Sequence, residues 1–286
     1  MTRLTDKPYW EGIYGNEPSD IEPPRVESAM KRLLKRMIGE RLMDLISPYD
    51  EYLLWRKVLP CYLPTSCRGF SVVEIGSAPG DFLVRFARTF GATPYGVEYT
   101  HQGAERNRRN FSQSGFDKDN VIEADFFSQE FLDANRRRFD IVISRGFVEH
   151  FVDAETVVSR HLALLRPGGL LFVLIPNLRG VYYPWTKLFN PEQLPLHNLD
   201  IMKLARFRQL FEKQPVDTLR CGYFGTFSFW LFTAPSEARW IGRVISFLIV
   251  LQRGLNILFR LVFRGKGGES ATFSPNLLFV GRKRGS

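Results

Sequence analysis

Cysteine is scarce in this chain, and apolar runs free of charge are short. The 286 residues contain three cysteines, Cys61, Cys67 and Cys221, and no two stand in a C-x-x-C spacing. That pattern argues against a disulfide framework or a sulfur-ligated zinc and predicts a reducing, cytoplasmic setting. There is no internal repeat and no low-complexity tract, so a solenoid or a disordered array is not expected. Met1 to Trp10 carries both signs of charge and no apolar centre, which argues against a secretory signal. Hydrophobic residues at 44% and charged residues at 24% fit an ordinary folded domain.

The charge that is present is unevenly placed. Of the net +9, residues 235–286 supply +7, with nine basic side chains against Glu237 and Glu269. A basic end predicts either a solvated face or contact with an anionic surface such as membrane or nucleic acid. Within it, Trp240 to Phe263 is strongly apolar, yet Arg239, Arg243, Ser246, Arg253, Asn256, Arg260 and Arg264 fall on one side at helical spacing. A membrane-spanning helix needs roughly 20 residues without such charge. A basic amphipathic helix over 237–264 that rests on anionic lipid, on the sheet or on a second subunit of a homodimer is the expectation.

Helical periodicity marks residues 26–46, where Val26, Met30, Leu33, Leu34, Met37, Ile38, Leu42, Leu45 and Ile46 share one face between Pro24 and Pro48. A shorter helix is predicted from Tyr49 to Leu59, ending at Pro60. From Ser71 the pattern changes. Short apolar runs (Val72–Ile75, Pro94–Val97, Val121–Ile122, Ile141–Ile143, Leu170–Ile175) alternate with helix-length segments near 81–90, 101–114, 129–136 and 154–165. Such alternation predicts an α/β fold with a doubly wound, mostly parallel sheet. Leu178 to Leu199, rich in aromatics and proline, reads as a long ordered loop. A helix at 200–213, an aromatic strand at 217–232 and a last strand at 276–282 complete the order. The expected organisation is a helical cap over 1–70, a ligand-binding domain over 71–234 and 273–286, and a basic helical insertion over 235–272.

The chemistry concentrates at the strand ends. Val72 to Ile75 leads into Gly76-Ser77-Ala78-Pro79-Gly80 and then a helix beginning at Asp81. In doubly wound sheets ligands lie outside the carboxyl ends of the strands, and glycines there let the backbone approach them closely. Asp81 at the helix start would repel a phosphate and suits a cationic ligand. Glu98 closes the second strand, where a carboxylate can accept both hydroxyls of a ribose. Asp125 follows the third strand and can accept from an adenine amino group while Phe126 packs on the ring. Three acids, Glu74, Glu98 and Asp125, thus stand at one edge of successive strands.

This ordered set resembles the class I S-adenosylmethionine-dependent methyltransferases, over about Ser71 to Ile175. The resemblance implies a Rossmann-like fold with seven strands and a cofactor, S-adenosylmethionine, whose methionine part lies in the loop from Glu74 through Gly76, Ala78 and Gly80. It implies that Glu98 holds the ribose and the Asp125-Phe126 pair the adenine, with Ser77, Tyr99, Ser144 and Arg145 in the same wall. Ala78 stands where many members have glycine. Phe139 to Ser144 looks like the fourth strand of the family, and Leu165 to Leu170 like its turn into the fifth.

On the acceptor side, the Glu149-His150 pair is similar to one in quinone and natural-product methyltransferases. A magnesium-binding group of these has a further glutamate three residues earlier. That position is Gly146 here, so no metal is expected. His150 and His197 are the candidate bases, each weighed against a structural histidine. Glu149, Asn177, Tyr182, Tyr183 and Trp185 are the candidate acceptor wall, and Tyr9, Trp10 and Tyr14 a candidate lid, with plain packing the simpler alternative. The expected activity is methyl transfer to a small molecule, by O-methylation of a sugar, lipid-linked or natural-product acceptor. An RNA methyltransferase and a non-catalytic cofactor-binding module are the alternatives. The first lacks a convincing lysine-aspartate-lysine-glutamate set, and the second conflicts with three intact acids.

Overall fold

The structure, a computed structural model, describes residues 1–15, 47–234 and 238–285. Strands β1 (Ser71–Ile75), β2 (Thr93–Glu98), β3 (Val121–Glu123), β4 (Phe139–Arg145) and β5 (Leu165–Pro176) run parallel. With β6 (Val216–Phe224) and β7 (Asn276–Lys283) they form a seven-stranded sheet in the order β3-β2-β1-β4-β5-β7-β6, β7 being antiparallel to both neighbours. This is the doubly wound, mostly parallel sheet that the alternation of runs predicts, with the seven strands of the Rossmann-like fold that the resemblance implies. The chain winds outward from β1 through β2 to β3 and then returns to lay β4 on the other side of β1. That reversal opens a crevice at the carboxyl ends of β1 and β4.

Helices α1 (Lys7–Gly15), α2 (Tyr49–Leu53) and α3 (Leu59–Tyr62) precede the sheet. The crossovers are α4 (Asp81–Phe90), α5 (His101–Gln113), α6 (Gln129–Asn135) and α7 (Ala154–Leu164). Three more follow β5: α8 (Tyr182–Phe189), α9 (Leu204–Glu212) and α10 (Arg239–Phe263). Two helix starts are fixed locally by side-chain caps. Ser128 accepts from the Phe131 N–H at 3.1 Å, and Asp153 from the Thr156 N–H at 3.1 Å. Each face of the sheet carries its own core. Val73, Ile75, Val142, Leu171 and Val173 pack against α6, α7 and α9, while Val72, Ile141, Ile143, Leu170 and Phe172 pack against α2 and α4. Burial on both faces explains why these strands read as unbroken apolar runs.

The structure differs from the sequence expectation at several places. The stretch expected to be a loop after Asn177 contains α8 and a 3-10 turn, Pro191–Gln193. Its prolines suggested a loop, but Pro184 lies in the first turn of α8 and Pro191 opens the 3-10 turn, where no N–H is required. The aromatic strand ends at Phe224 rather than near 232. Gly225 takes φ +84, and a Cβ there would meet Pro275 at 2.9 Å, so the chain turns away. Helical structure continues past Pro60 to Tyr62, because the preceding turn, Leu54–Val58, is of the wider π type and does not present the tight ladder with which a proline ring clashes. The helix expected over 26–46 lies outside the described residues.

Phe211 of α9 stacks on Phe279 of β7 with ring centroids 3.5 Å apart and planes 2° from parallel, both rings fully inside. Phe279→Ala removes that contact in a site that cannot readily collapse. It is expected to lower stability by roughly 3–5 kcal/mol, read as a fall in the urea midpoint at unchanged slope.

Candidate active site

The parallel strands deliver their carboxyl ends to one edge, and a cavity of about 240 Å³ lies over it. Its walls come from Ile75, Gly76 and Ala78 after β1, Glu98 and Tyr99 after β2, Ala124 to Phe127 after β3 and Arg145 to Phe147 after β4. His150 and Phe151 line it further along, and Arg3, Thr5, Trp10 and Tyr14 cover it from the N-terminal segment.

The turn after β1 is held rigidly. The Gly76 and Ser77 N–H groups both donate to the Val97 carbonyl, at 2.9 and 3.2 Å, which ties the turn to β2. Ser77 Oγ accepts from Asn107 Nδ2 at 2.5 Å. Gly76 and Gly80 take φ +70 and +95, values that glycine alone adopts without strain. A Cβ on Gly76 would press on the Phe147 ring, and one on Gly80 would collide with Asn107. Gly76 and Ala78 face the cavity, whereas Ser77 and Gly80 shape the turn from behind.

The three acids do not play equal parts. Glu98 is buried, and its Oε1 accepts from the Tyr99 N–H, the Thr100 N–H and the Thr100 hydroxyl at 3.1, 3.1 and 2.8 Å. Its other oxygen makes no hydrogen bond among the described residues. Asp125 accepts from Arg3 Nη2 through both oxygens at 2.6 Å and from the Phe127 N–H at 2.9 Å. Glu74 is behind the cavity wall, 3.1 Å from Arg145 Nε. Burial pushes its carboxyl up to about 7 against the opposing pull of Arg145. Arg145 itself lines the cavity and stacks over Phe82 at 4.1 Å. Ser144 is inside the sheet in register with Ile75, and its hydroxyl finds no partner among the described residues. Phe126 lines the cavity, backed by His161 at 4.7 Å.

The N-terminal segment is a strap across the opening. Arg3 forms a bridge with Phe151, and the Leu4 N–H donates to the His150 carbonyl at 2.8 Å. Arg3 also lies over the Tyr99 and Phe127 rings at 5.1 and 5.4 Å. Trp10 meets His150 edge-on at 5.1 Å. Arg3 and Thr5 carry no sequence signal of a site role. Phe147 and Phe151 were legible only as neighbours of the Glu149-His150 pair.

His150 and His197 are brought together, with ring centroids 4.7 Å apart. His150 Nδ1 lies 2.8 Å from the Leu196 carbonyl and His197 Nδ1 lies 2.7 Å from the Gln193 carbonyl. A carbonyl can only accept, so each Nδ1 carries the proton and each Nε2 keeps its lone pair. Burial, reinforced by the neighbouring His197, holds His150 down at about 4; burial also lowers His197. Only His150 reaches the cavity. Glu149 is 1% exposed, with Oε1 3.9 Å from His150 Nε2 and Oε2 without a partner among the described residues. Burial raises its carboxyl to about 8, so it is protonated at neutral pH.

The remaining acceptor-wall candidates lie away from the cavity. Asn177 ties the end of β5 to the Ser274 carbonyl at 2.8 Å. Tyr182 is fully buried and donates to the Phe273 carbonyl at 2.8 Å. Trp185 stacks on Phe232 at 4.5 Å, and Tyr183 is partly exposed. Among the described residues no group of three metal-ligating side chains converges.

The protonated Glu149 has a thermodynamic signature. Folded, it keeps its proton to about pH 8; unfolded, it releases it near its ordinary 4.5. Between those values unfolding releases a proton, so its contribution to stability declines as pH rises through the window. Glu149→Gln, which cannot ionise, is expected to melt close to the parent at pH 5 and on the order of several degrees above it at pH 9, measured by calorimetry across that range.

Residues 26–215, well over half of the chain, match the methyltransferase domain family. Over 114 residues the chain is 30% identical to a ubiquinone biosynthesis O-methyltransferase of Brucella anthropi, covering 40% of this chain and 44% of that protein. A stretch of 109 residues is 29% identical to the enzyme of the same name from Chelativorans sp., covering 38% of this chain and 41% of that one. The chain thus spans less than half the length of these curated relatives. Among solved structures it is similar to a candidate sarcosine dimethylglycine methyltransferase of Galdieria sulphuraria, with TM-score 0.54 at 15% identity over 97% of this chain and 98% of that one. It is also similar to geranyl diphosphate C-methyltransferase of Streptomyces coelicolor, solved with S-adenosyl-L-homocysteine, with TM-score 0.51 at 15% identity over 93% and 86%. At such identities the structural likeness is one of fold, and it agrees with the sheet order described above. The chain belongs to the methyltransferase domain family.

Proposed function

We propose that the methyl group goes to a hydroxyl oxygen of a small, largely apolar acceptor, and that His150 receives the hydroxyl proton. The observation that carries this reading is the neutral imidazole on the cavity wall. Its Nδ1 is pinned to the Leu196 carbonyl and its Nε2 lone pair is available. Trp10, Tyr14, Phe147 and Phe151 around it favour an apolar body with a single polar handle. The curated relatives named as O-methyltransferases support oxygen as the acceptor atom.

The residues present fit the cofactor. The free oxygen of Glu98 suits a ribose hydroxyl, the turn from Gly76 to Gly80 leaves space for an amino-acid chain, and Tyr99 and Phe126 suit an adenine ring. Asp125 becomes available to the base only when Arg3 leaves it. The cavity is smaller than the roughly 300–1,000 Å³ usual for ligand sites, so the strap lifts to admit the cofactor. When bound, S-adenosylmethionine supplies a methyl group already activated on a sulfonium. The chain then aligns the acceptor, excludes water with the strap, and takes up the proton at His150 Nε2. The Leu196 carbonyl, which accepts from Nδ1 at 2.8 Å, holds the resulting imidazolium in place.

Two measurements test this reading. Glu98→Ala is expected to weaken cofactor binding about 10- to 100-fold in calorimetry, the loss of a charge-assisted hydrogen bond of roughly 1.5–3 kcal/mol; unchanged binding would remove Glu98 from the site. His150→Ala is expected to lower transfer of labelled methyl to hydroxylated acceptors drawn from cell extract by about 10²–10⁴-fold. Its cofactor affinity should stay within a few-fold of the parent. A variant with full turnover would exclude His150 as the base.

A further inference from the structure

Helix α10 is oriented against the usual rule. Its inward line is polar: Gln252, Asn256 and Arg260 stand four residues apart and anchor it to the body. Gln252 Oε1 accepts from the Phe229 N–H at 2.9 Å, and its Nε2 donates to Asn256 Oδ1 at 3.0 Å. Arg260 Nη2 donates to the Ser47 carbonyl and hydroxyl at 3.0 and 2.9 Å and lies over Tyr52 at 4.7 Å. The outward strip is apolar: Trp240, Phe247, Leu258, Leu261 and Val262 are 63%, 62%, 50%, 70% and 61% exposed. Exposed Arg243 and Arg253 border that strip, and exposed Arg264 and Lys266 follow its end. A row of large apolar side chains this long does not face water without a partner.

The partner's chemistry follows from charge and topology. By length and composition Trp240–Phe263 could cross a bilayer. Its two ends, however, return to neighbouring strands, since Phe224 at the end of β6 pairs with Asn276 at the start of β7. A helix of about 37 Å crossing the membrane would have to be matched by a return through Arg264, Lys266 and Glu269, and would leave Arg243, Gln252, Arg253 and Asn256 in hydrocarbon. Lying flat, the same helix sinks its apolar strip below the headgroups while the bordering arginines reach anionic phosphates.

We propose that α10 docks this enzyme onto an anionic lipid surface, parallel to the membrane plane. The insertion leaves and rejoins the sheet at the edge where Pro176 ends β5 opposite Asn276, the same edge over which the cavity lies. Docking therefore brings the cavity edge towards the lipid, where a membrane-dissolved acceptor would be found. The docking itself does not depend on the acceptor or on His150.

Vesicle flotation with the full chain tests it. The protein is expected to float with phosphatidylcholine vesicles containing phosphatidylglycerol at least ten-fold more than with phosphatidylcholine alone, with a blue shift of tryptophan emission. Phe247→Asp/Leu258→Asp should abolish flotation, and Arg243→Glu/Arg253→Glu should lower it several-fold. Cofactor binding and melting temperature should be unchanged in both, since these side chains are exposed. Equal flotation with both vesicle types, or none by the parent protein, overturns the proposal. So does a dimer in sedimentation that Phe247→Asp/Leu258→Asp dissolves without any vesicle binding, which would assign the strip to a second copy of the chain.

Discussion

The site depends on one small construction: two successive N–H groups, of Gly76 and Ser77, donating to the single carbonyl of Val97. It forces the chain to bend sharply as it leaves β1 and binds that bend to β2. The same tie sets the distance between the turn and Glu98, the next residue along β2. Positive φ at Gly76 and Gly80 is the backbone condition for it, and the Asn107 amide secures it from α5. Everything at the cavity floor is positioned relative to this bend, and the core on each face of the sheet holds the strands that carry it.

Electrostatics at the edge are subtler than a row of acids. A carboxylate inside a protein is stable only if hydrogen-bonded, paired or protonated. This chain uses all three solutions within one region. Glu98 is hydrogen-bonded by its own turn, Glu74 is paired with Arg145, and Glu149 keeps its proton, while the more exposed Asp125 pairs with Arg3. Of the three strand-end acids, Glu98 alone lacks a cationic partner among the described residues. A positively charged cofactor therefore meets one committed acid and one held in reserve under the strap. The strap also shields His150 from water, the condition under which a neutral imidazole beside a protonated carboxyl persists.

The far end of the sheet follows a different logic. Between β6 and β7 the chain inserts a helix anchored through Gln252 and Arg260, with Ile241, Phe259 and Phe263 turned inward and a strip of large apolar side chains turned outward. Gln252 and Arg260 bond to the body at Phe227, Phe229 and Ser47, and Gln252 in turn bonds to Asn256. It makes sense of the basic end of the sequence as a border to an apolar strip and not as a uniformly charged face.

Much of the sheet was legible in advance, because strand and helix periodicity are properties of neighbouring residues and survive without knowledge of the fold. The five parallel runs, their crossover helices, the glycine turn and the positions of Glu98, Asp125 and Phe126 all follow from local pattern. Proline misled where it sits at a helix start, since a missing N–H looks the same in a loop as in a first turn. Other features required the chain to come back on itself. Arg3 meets Asp125 across 122 residues, and Arg145 meets Glu74 across 71. Which acid faces the cavity, which histidine reaches it, whether Glu149 holds its proton and which side of α10 is outermost are all matters of burial. Local pattern sufficed for the order of elements and the residue types at the strand ends. Their partners and charge states emerge with folding, because pairing and desolvation arise between segments that no local pattern brings together.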